Sequence, residues 1–347
     1  MSETSIDLYD YNLPKELIAD TPLDQREKSK LLHIDIHKNQ SYERHFFDLL
    51  EVLNPGDLVI LNNTKVIPAR IYMQKETGGR IEILFHKKLS QRTCEVIFSS
   101  SRSPRIGTSL SVNDNLLFKI LKIHKNILTL ESLFFNDIFK IFEDYGEIPL
   151  PKYIKRSVSD DDKTTYQTVY AKSKGSVAAP TAGLHFSDDM IKKLIKKGVN
   201  IKYITLHISY NTFKPITSYS YLDHNIGSEY IDIQGDLFAL INNTKRSQKR
   251  VIAVGTTVTR AIEFCYHNNI KESFKGLADL YIYPGYKFLA INCMITNFHL
   301  PKSSLFLLVC AFAGKNKIID AYNYAVNKKY RFYSYGDSMF LENEHEI

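Results

Sequence analysis

Residues 58–62 read LVILN, an apolar run that follows the turn residues NPGD at 54–57. A short apolar run bounded by turn signals is the pattern of a strand buried on both faces. Beyond residue 66 the pattern changes. From about 67 to 150, the runs ARIYM, RIEILFH, TCEVIFSS, LFKILKIH and ILTLES alternate apolar and polar positions, and ETGG, RSPRIG and VNDN separate them. Short strands at this spacing predict a small β-barrel or sandwich. The stretch YGEIPLPKYI at 145–154, with its two prolines, reads as the linker out of it.

After residue 165 the texture becomes strand, loop and helix. SDDMIKKLIKKG at 187–198 opens on an N-cap serine with two aspartates in the first turn, and closes on lysines and a glycine. Those are the start and stop signals of a helix. The strand IKYITLHIS follows, and RVIAVGTT then runs into a helix carrying TRAIEF. After INCMITNFHLP comes LFLLVCAFA at 305–313, which reads as a buried helix. It is far short of the roughly 20 residues that cross a bilayer. Repeated strand–loop–helix units predict an α/β fold with helices packed on a sheet. Residues 1–66 lack a complete core of their own. The expected organisation is therefore a discontinuous α/β catalytic domain over 1–66 and 152–347, with a small β-barrel domain inserted at 67–151.

Composition refines this only slightly. A length of 347 residues accommodates two domains, and 44% hydrophobic with 24% charged residues is ordinary for a globular protein. The net charge of +7 favours an acidic partner such as nucleic acid. Cys94, Cys265, Cys293 and Cys310 form no CxxC pair, which argues against a zinc ribbon or a redox motif and suits a reducing compartment. The opening MSETSIDLYDYNLP has no signal-peptide pattern, so a cytoplasmic protein without membrane association is expected. Neither GxxxxGK[ST] nor GxGxxG occurs, which argues against a P-loop or dinucleotide enzyme.

In open α/β sheets ligands bind beyond the carboxyl ends of the strands. Three predicted strand ends carry polar loops. VGTT brings Gly255, Thr256 and Thr257 to a helix start, where free N–H groups can hold a carboxylate or phosphate. TNFHLP places Asn297 and His299 just before a capped helix. SVAAPTAGLHF at 176–186 leads through Thr181 and Gly183 to His185. The helix after His185 is already capped and acidic, so a cation is tolerated there better than a phosphate. The small side chains of the ramp let a flat group lie against the backbone. No serine–histidine–acid spacing supports a hydrolase triad. Other clusters read as surface features. HIDIH sets His33, Asp35 and His37 on a solvated strand face, the two histidines about 13 Å apart at this rise per residue, too far to share a metal. DHNIGSEY offers His224, Glu229 and Tyr230 in a loop. YRFYSYGDSMF alternates Arg331, Tyr333, Tyr335 and Asp337, fit either for stacking on bases or for packing a terminal strand.

Nine stretches, taken in order, resemble one bacterial family nearly end to end. They are YNLPKELIADTPLDQREKSKLL, LNPGDLVILNNTKVIPARI, KETGGRIEILF, YGEIPLPKYI, YQTVYAKSKGSVAAPTAGLHF, RVIAVGTTVTRAIE, LYIYPGYKF, TNFHLPKSSLFLLVCAFAG and YRFYSYGDSMF. The family is that of the S-adenosylmethionine:tRNA ribosyltransferase-isomerases of queuosine biosynthesis. Two places depart from its pattern. NNTK at 62–65 stands for an NDTR-like run and keeps a cation at Lys65. HISYNTF at 207–213 stands for a glycine-rich HVGxGTF, keeping His207, Thr212 and Phe213 but placing Ser209, Tyr210 and Asn211 where small residues are expected.

The resemblance implies an α/β domain interrupted by a β-barrel, and an unusual reaction. The ribosyl part of S-adenosylmethionine passes to 7-aminomethyl-7-deazaguanine at the wobble position of tRNA and is rearranged, giving epoxyqueuosine-tRNA, adenine and methionine. S-adenosylmethionine is then a consumed substrate rather than a cofactor, and no metal is implied. A monomer without an obligate protein partner is expected. On this reading His185 and His299 exchange protons with the substrates. Thr256, Thr257 and Arg260 orient the methionine carboxylate or a phosphate. Tyr283, Tyr286 and Arg331 stack on adenine or the target base, and Thr181, Gly183, Glu229, Tyr230, Gly255 and Asn297 complete the substrate-binding set. Lys152, Lys155 and Arg156 beside the linker are candidate tRNA phosphate contacts. Two other readings share the same sequence features: a conventional tRNA methyltransferase using the same donor, and a non-catalytic RNA-binding module.

Overall fold

The computed structural model describes residues 3–151, 153–209 and 215–343. In chain order, β1 (Lys30–Asp35) and β2 (Gln40–His45) form a hairpin, a short helix α1 (Leu49–Val52) follows, and β3 (Leu58–Asn62) and β4 (Thr64–Val66) lead to the barrel. Its strands are β5 (Arg70–Lys75), β6 (Arg80–Lys88), β7 (Thr93–Ser99), β8 (Ser109–Val112), β9 (Asn115–His124) and β10 (Ile127–Ser132), followed by α2 (Ile138–Tyr145). The chain continues through α3 (Asp162–Thr165), β11 (Ser173–Ser176), α4 (Asp188–Lys197), β12 (Asn200–His207), β13 (Glu229–Ile233) and α5 (Asp236–Arg246). It ends with β14 (Val251–Val254), α6 (Thr256–His267), β15 (Phe274–Ala278), β16 (Cys293–Asn297), α7 (Ser304–Ala313), α8 (Lys315–Asn327) and β17 (Ser338–Glu342).

Nine strands form one mixed sheet in the order β15-β13-β12-β3-β14-β16-β17-β1-β2. Its middle, β12-β3-β14-β16, is parallel throughout. Parallel strands are covered on both faces and so read as continuous apolar runs. LVILN in β3 and VIAV in β14 are buried at every position. One face carries Ile60, Ala253 and Met294 against α6 and α7, and the other carries Val59, Ile252 and Val254 against α4. The helix α4 has the predicted ends. Ser187 accepts from the Met190 N–H at 3.2 Å, and Gly198 stops the helix at φ +95°. The helix α7 is apolar all round because it is nearly enclosed.

The six short strands close into a barrel, β10-β7-β6-β5-β8-β9. Closure removes the exposed edges that an open sheet of this size would present. Inward residues such as Ile71, Ile83, Val96, Phe118 and Leu128 fill it. The amphipathic helix α2 adds Phe142, whose ring meets Phe85 edge-on at 5.3 Å.

Three local expectations are corrected. His33 and Asp35 are buried, since β1 is flanked by β17 on one side and β2 on the other. His33 lies against Phe340 and bonds Glu342 at 3.0 Å, while His37 falls beyond the end of β1. Glu229 and Tyr230 lie in strand β13 rather than a loop. The alternation at 330–337 is not a strand: Phe332 makes one isolated bridge to Ile18, and continuous pairing begins only at Ser338.

Candidate active site

The parallel strands β12, β3, β14 and β16 end on the same side of the sheet. Val254 sits opposite Ile295, and the Gly255 N–H donates to the Ile295 carbonyl at 2.7 Å. The loops after β14 and β16 therefore leave the sheet side by side. The segment before α4 crosses the same edge as a turn of 3-10 helix, Thr181–His185. Thr181, Gly255, Thr256, Thr257, Asn297 and His299 thereby line one cavity of about 40 Å³. Polar loops from three distant parts of the chain meet there, as the strand ends predict.

Both candidate histidines are buried, but their hydrogen bonds differ. His185 has both ring nitrogens engaged: Nδ1 lies 2.7 Å from Ser29 Oγ, and Nε2 lies 3.1 Å from Asn297 Nδ2. Its ring stacks on Phe46 at 4.9 Å. His299 has Nε2 at 2.8 Å from Thr296 Oγ1, and no hydrogen bond to Nδ1 is found among the described residues. Its backbone is pinned instead: Tyr11 donates its hydroxyl to the His299 carbonyl, and the His299 N–H donates to Tyr322 Oη at 3.0 Å. Burial, reinforced by the Arg331 and Arg26 charges, pushes the His185 imidazole down to about 3 from the ordinary 6.5. Burial alone takes His299 down to about 3. Both rings are neutral at pH 7.

The two histidines do not share one cavity. His185 lines a second space of about 30 Å³ with Arg26, Ser29 and Tyr335. Ser334 lines both spaces, and Asn297 links His185 to the first. Asn297 is 2% exposed, and its Oδ1 has no hydrogen-bond partner among the described residues.

Several predicted site residues do other work. Arg260 is committed to Glu229 at 2.9 Å and to the Leu280 carbonyl at 3.0 Å, so its guanidinium is not presented to the cavity. Glu229 also accepts from the Ser209 N–H at 3.2 Å. Gly183 does not line the cavity: a methyl there would overlap the Tyr170 hydroxyl. Tyr230 stacks on His207, whose Nδ1 lies 2.8 Å from Thr64 Oγ1 and whose imidazole burial pushes down to about 4. Tyr283 packs on Tyr221, and Tyr286 donates to Glu263. Arg331 donates to the Thr21 carbonyl, and Tyr333 and Tyr335 are buried rather than displayed for stacking. Arg156 is held by both carboxylate oxygens of Asp162, whereas Lys155 and Lys65 are exposed. Lys152, Tyr210, Asn211, Thr212 and Phe213 lie outside the described residues. Among the described residues no three His, Cys, Asp or Glu side chains gather to hold a metal ion, and no helix is long and apolar enough to cross a membrane.

Sequence reasoning missed Ser29, Phe46, Tyr11 and Thr296. Thr296 precedes a residue already singled out, so TNFH held a usable signal. Ser29 and Tyr11 contact histidines 156 and 288 positions away, and nothing in their local sequence marks them.

Comparison with known proteins gives three concordant results. The model of the queuosine biosynthesis protein family matches residues 6–341. S-adenosylmethionine:tRNA ribosyltransferase-isomerases of Francisella philomiragia and Francisella tularensis are each 44% identical over 335 residues, covering 96% of this chain and 99% of theirs. The crystal structure of an S-adenosylmethionine tRNA ribosyltransferase from Thermotoga maritima superposes with a TM-score of 0.57 at 30% identity, over 96% of this chain and 99% of that one.

Proposed function

The chain belongs to the queuosine biosynthesis protein family and is an enzyme, like the ribosyltransferase-isomerases it matches; from that premise we propose the reaction it catalyses. It transfers the ribosyl moiety of S-adenosylmethionine to 7-aminomethyl-7-deazaguanine at the wobble position of tRNA and isomerises it. The products are epoxyqueuosine-tRNA, adenine and methionine. The donor is consumed, so no cofactor is assigned. The protein acts in the cytoplasm, as a monomer, on tRNA that already carries the precursor base.

The observation that carries this reading is the meeting of a helix start, an orphan amide carbonyl and a buried neutral histidine at the carboxyl ends of one parallel sheet. The chemistry asks for such groups. The carbon beside the sulfonium is acidic, and a neutral imidazole can take its proton. Adenine leaves more readily when a ring nitrogen is protonated. The aminomethyl group must lose a proton before its nitrogen can attack. His299 is the titratable group we assign to this proton traffic, and His185, with both ring nitrogens engaged, is assigned to positioning Asn297. Thr256 and Thr257 supply N–H donors at the start of α6, where the Gly255 cap offers no side chain. Thr181 and Asn297 complete the wall of the cavity. Arg260 and Glu229 brace the neighbouring strand rather than meet the substrate.

The test is product analysis. With S-adenosylmethionine and precursor tRNA, the pure protein releases adenine and methionine. Release of S-adenosylhomocysteine would assign it to the methyltransferases instead. Salt-dependent tRNA binding without consumption of the donor would make it a passive RNA-binding module. Binding to tRNA should weaken steeply with added salt in either enzymatic case, as phosphate contacts require.

A further inference from the structure

We propose that the cavity at the start of α6 holds the zwitterionic amino-acid end of the sulfonium donor. Its carboxylate meets the α6 N–H groups, its ammonium meets the Asn297 side-chain carbonyl, and Ser29 and His185 hold that carbonyl in place. This rests on the donor assigned above and goes further in naming which end of it lies here, and what orients the contact.

The anion-binding pole comes from the backbone. The first N–H of α6 with a helical acceptor is that of Thr259, which donates to the Gly255 carbonyl at 3.2 Å. The N–H groups of Thr256, Thr257 and Val258 precede the hydrogen-bond ladder, and no side chain caps them. The opposite pole is Asn297 Oδ1, buried and without a partner among the described residues. Thr256, Thr257 and Asn297 all line the same small cavity, and no charged side chain lines it among the described residues. A lone anion or a lone cation would be buried there without a countercharge. A zwitterion brings its own countercharge and needs one donor pole and one acceptor pole, which are the two poles the cavity has.

The orientation of Asn297 is set from behind. Its Nδ2 faces His185 Nε2 at 3.1 Å, so that nitrogen accepts. The proton of the neutral ring is then on Nδ1, which donates to Ser29 Oγ at 2.7 Å. Stacking on Phe46 keeps the ring in plane with this chain of bonds. With Nδ2 committed to His185, Oδ1 is the polar atom of this cavity-lining side chain left for a ligand. His185 acts here as a positioning residue, and Ser29 selects its tautomer.

Calorimetric titration with S-adenosylmethionine and with its analogue lacking the α-amino group tests this directly. Asn297→Leu should weaken the parent compound by roughly 10- to 100-fold, the range for a hydrogen bond to a charged group, and leave the desamino analogue unchanged. Equal weakening of both would reduce Asn297 to a wall of the cavity and overturn the proposal. Should the leucine variant fail to fold, Asn297→Ser carries the same comparison. Ser29→Ala should weaken the parent about tenfold with no effect on the analogue. His185→Gln, whose amide oxygen can accept from Asn297, should keep affinity within a few-fold where His185→Leu loses it. A glutamine variant as weak as the leucine variant would end the positioning role. A wild-type protein that binds S-adenosylmethionine while Asn297→Leu fails to discriminate sinks this subsite alone. A wild-type protein that binds no S-adenosylmethionine sinks the donor assignment with it.

Discussion

His185 and His299 sit at neighbouring strand-end loops, both buried and both far less basic than a free imidazole. They differ in what their second nitrogen does. His185 is tied at both ends, to Ser29 and to Asn297. Among the described residues His299 is tied at Nε2 only, and it stands in the cavity wall beside the start of α6. Burial and lowered basicity therefore do not distinguish a proton-transfer group from a positioning group. The count of satisfied nitrogens does. A ring with both nitrogens engaged must break a bond before it can accept a substrate proton, whereas a ring with one free can act without rearranging its surroundings.

The largest expected effect separates the two rings. His299→Gln should lower turnover by roughly 10²–10⁴, the usual contribution of a positioned acid–base group. His185→Gln should lower it by less than about tenfold if it only relays orientation through Asn297. Equal losses, measured as adenine release by variants with unchanged melting profiles, would erase the distinction drawn here.

A second contrast sets the cavity against the brace next to it. Arg260 and Glu229 form an ion pair in which both side chains are under 5% exposed. Removing one partner leaves a buried charge uncompensated, so Arg260→Leu should cost about 3–5 kcal/mol of stability in urea unfolding. A loss below 1 kcal/mol would mean that the pair is solvated, and would return Arg260 to the substrate-binding set.

Acid sensitivity probes both histidines together. Each folded-state pKa, about 3, lies below the ordinary 6.5. Between these values the unfolded chain binds a proton that the folded one does not. Stability is fully present above about pH 6.5 and falls as pH drops toward 3, by up to about 1.4 kcal/mol per pH unit for each ring. His185→Gln and His299→Gln should each flatten the slope in that window, as urea titrations at stepped pH will report. A slope unchanged in both variants would show that neither ring is held neutral.

The smallest effect concerns the ramp before His185. Gly183→Ala drives a methyl into the Tyr170 hydroxyl and should cost about 1–3 kcal/mol, with part recovered by Tyr170→Phe. No cost would mean that the ramp is not packed as described.

What the sequence reveals about this site follows a physical divide. Residues next to strand ends and helix starts were readable, because turn chemistry and capping are local. Thr256, Asn297, His299 and His185 fall in that group, and so do the barrel strands, whose alternation survives in RIEILFH and ILTLES. Partners brought in by the fold were not readable. Arg260 reads as a ligand contact until β13 places Glu229 against it, 31 residues away in sequence. Ser29 is an unremarkable serine in REKSKLL until β1 and the turn at Phe46 set it beside His185. The strand β8 was missed because SLSV lacks enough apolar contrast to stand out from the turns around it.

The central claim is that this crevice consumes S-adenosylmethionine by moving its ribose, with His299 exchanging protons. The most direct measurement uses S-adenosylmethionine labelled in the ribose carbons, incubated with precursor tRNA and either the wild-type protein or His299→Gln, followed by mass analysis of the wobble nucleoside. The account predicts label in that nucleoside for the wild type and a loss of roughly 10²-fold or more for the variant. Label that stays with a released nucleoside, or a variant as active as the wild type, would contradict it.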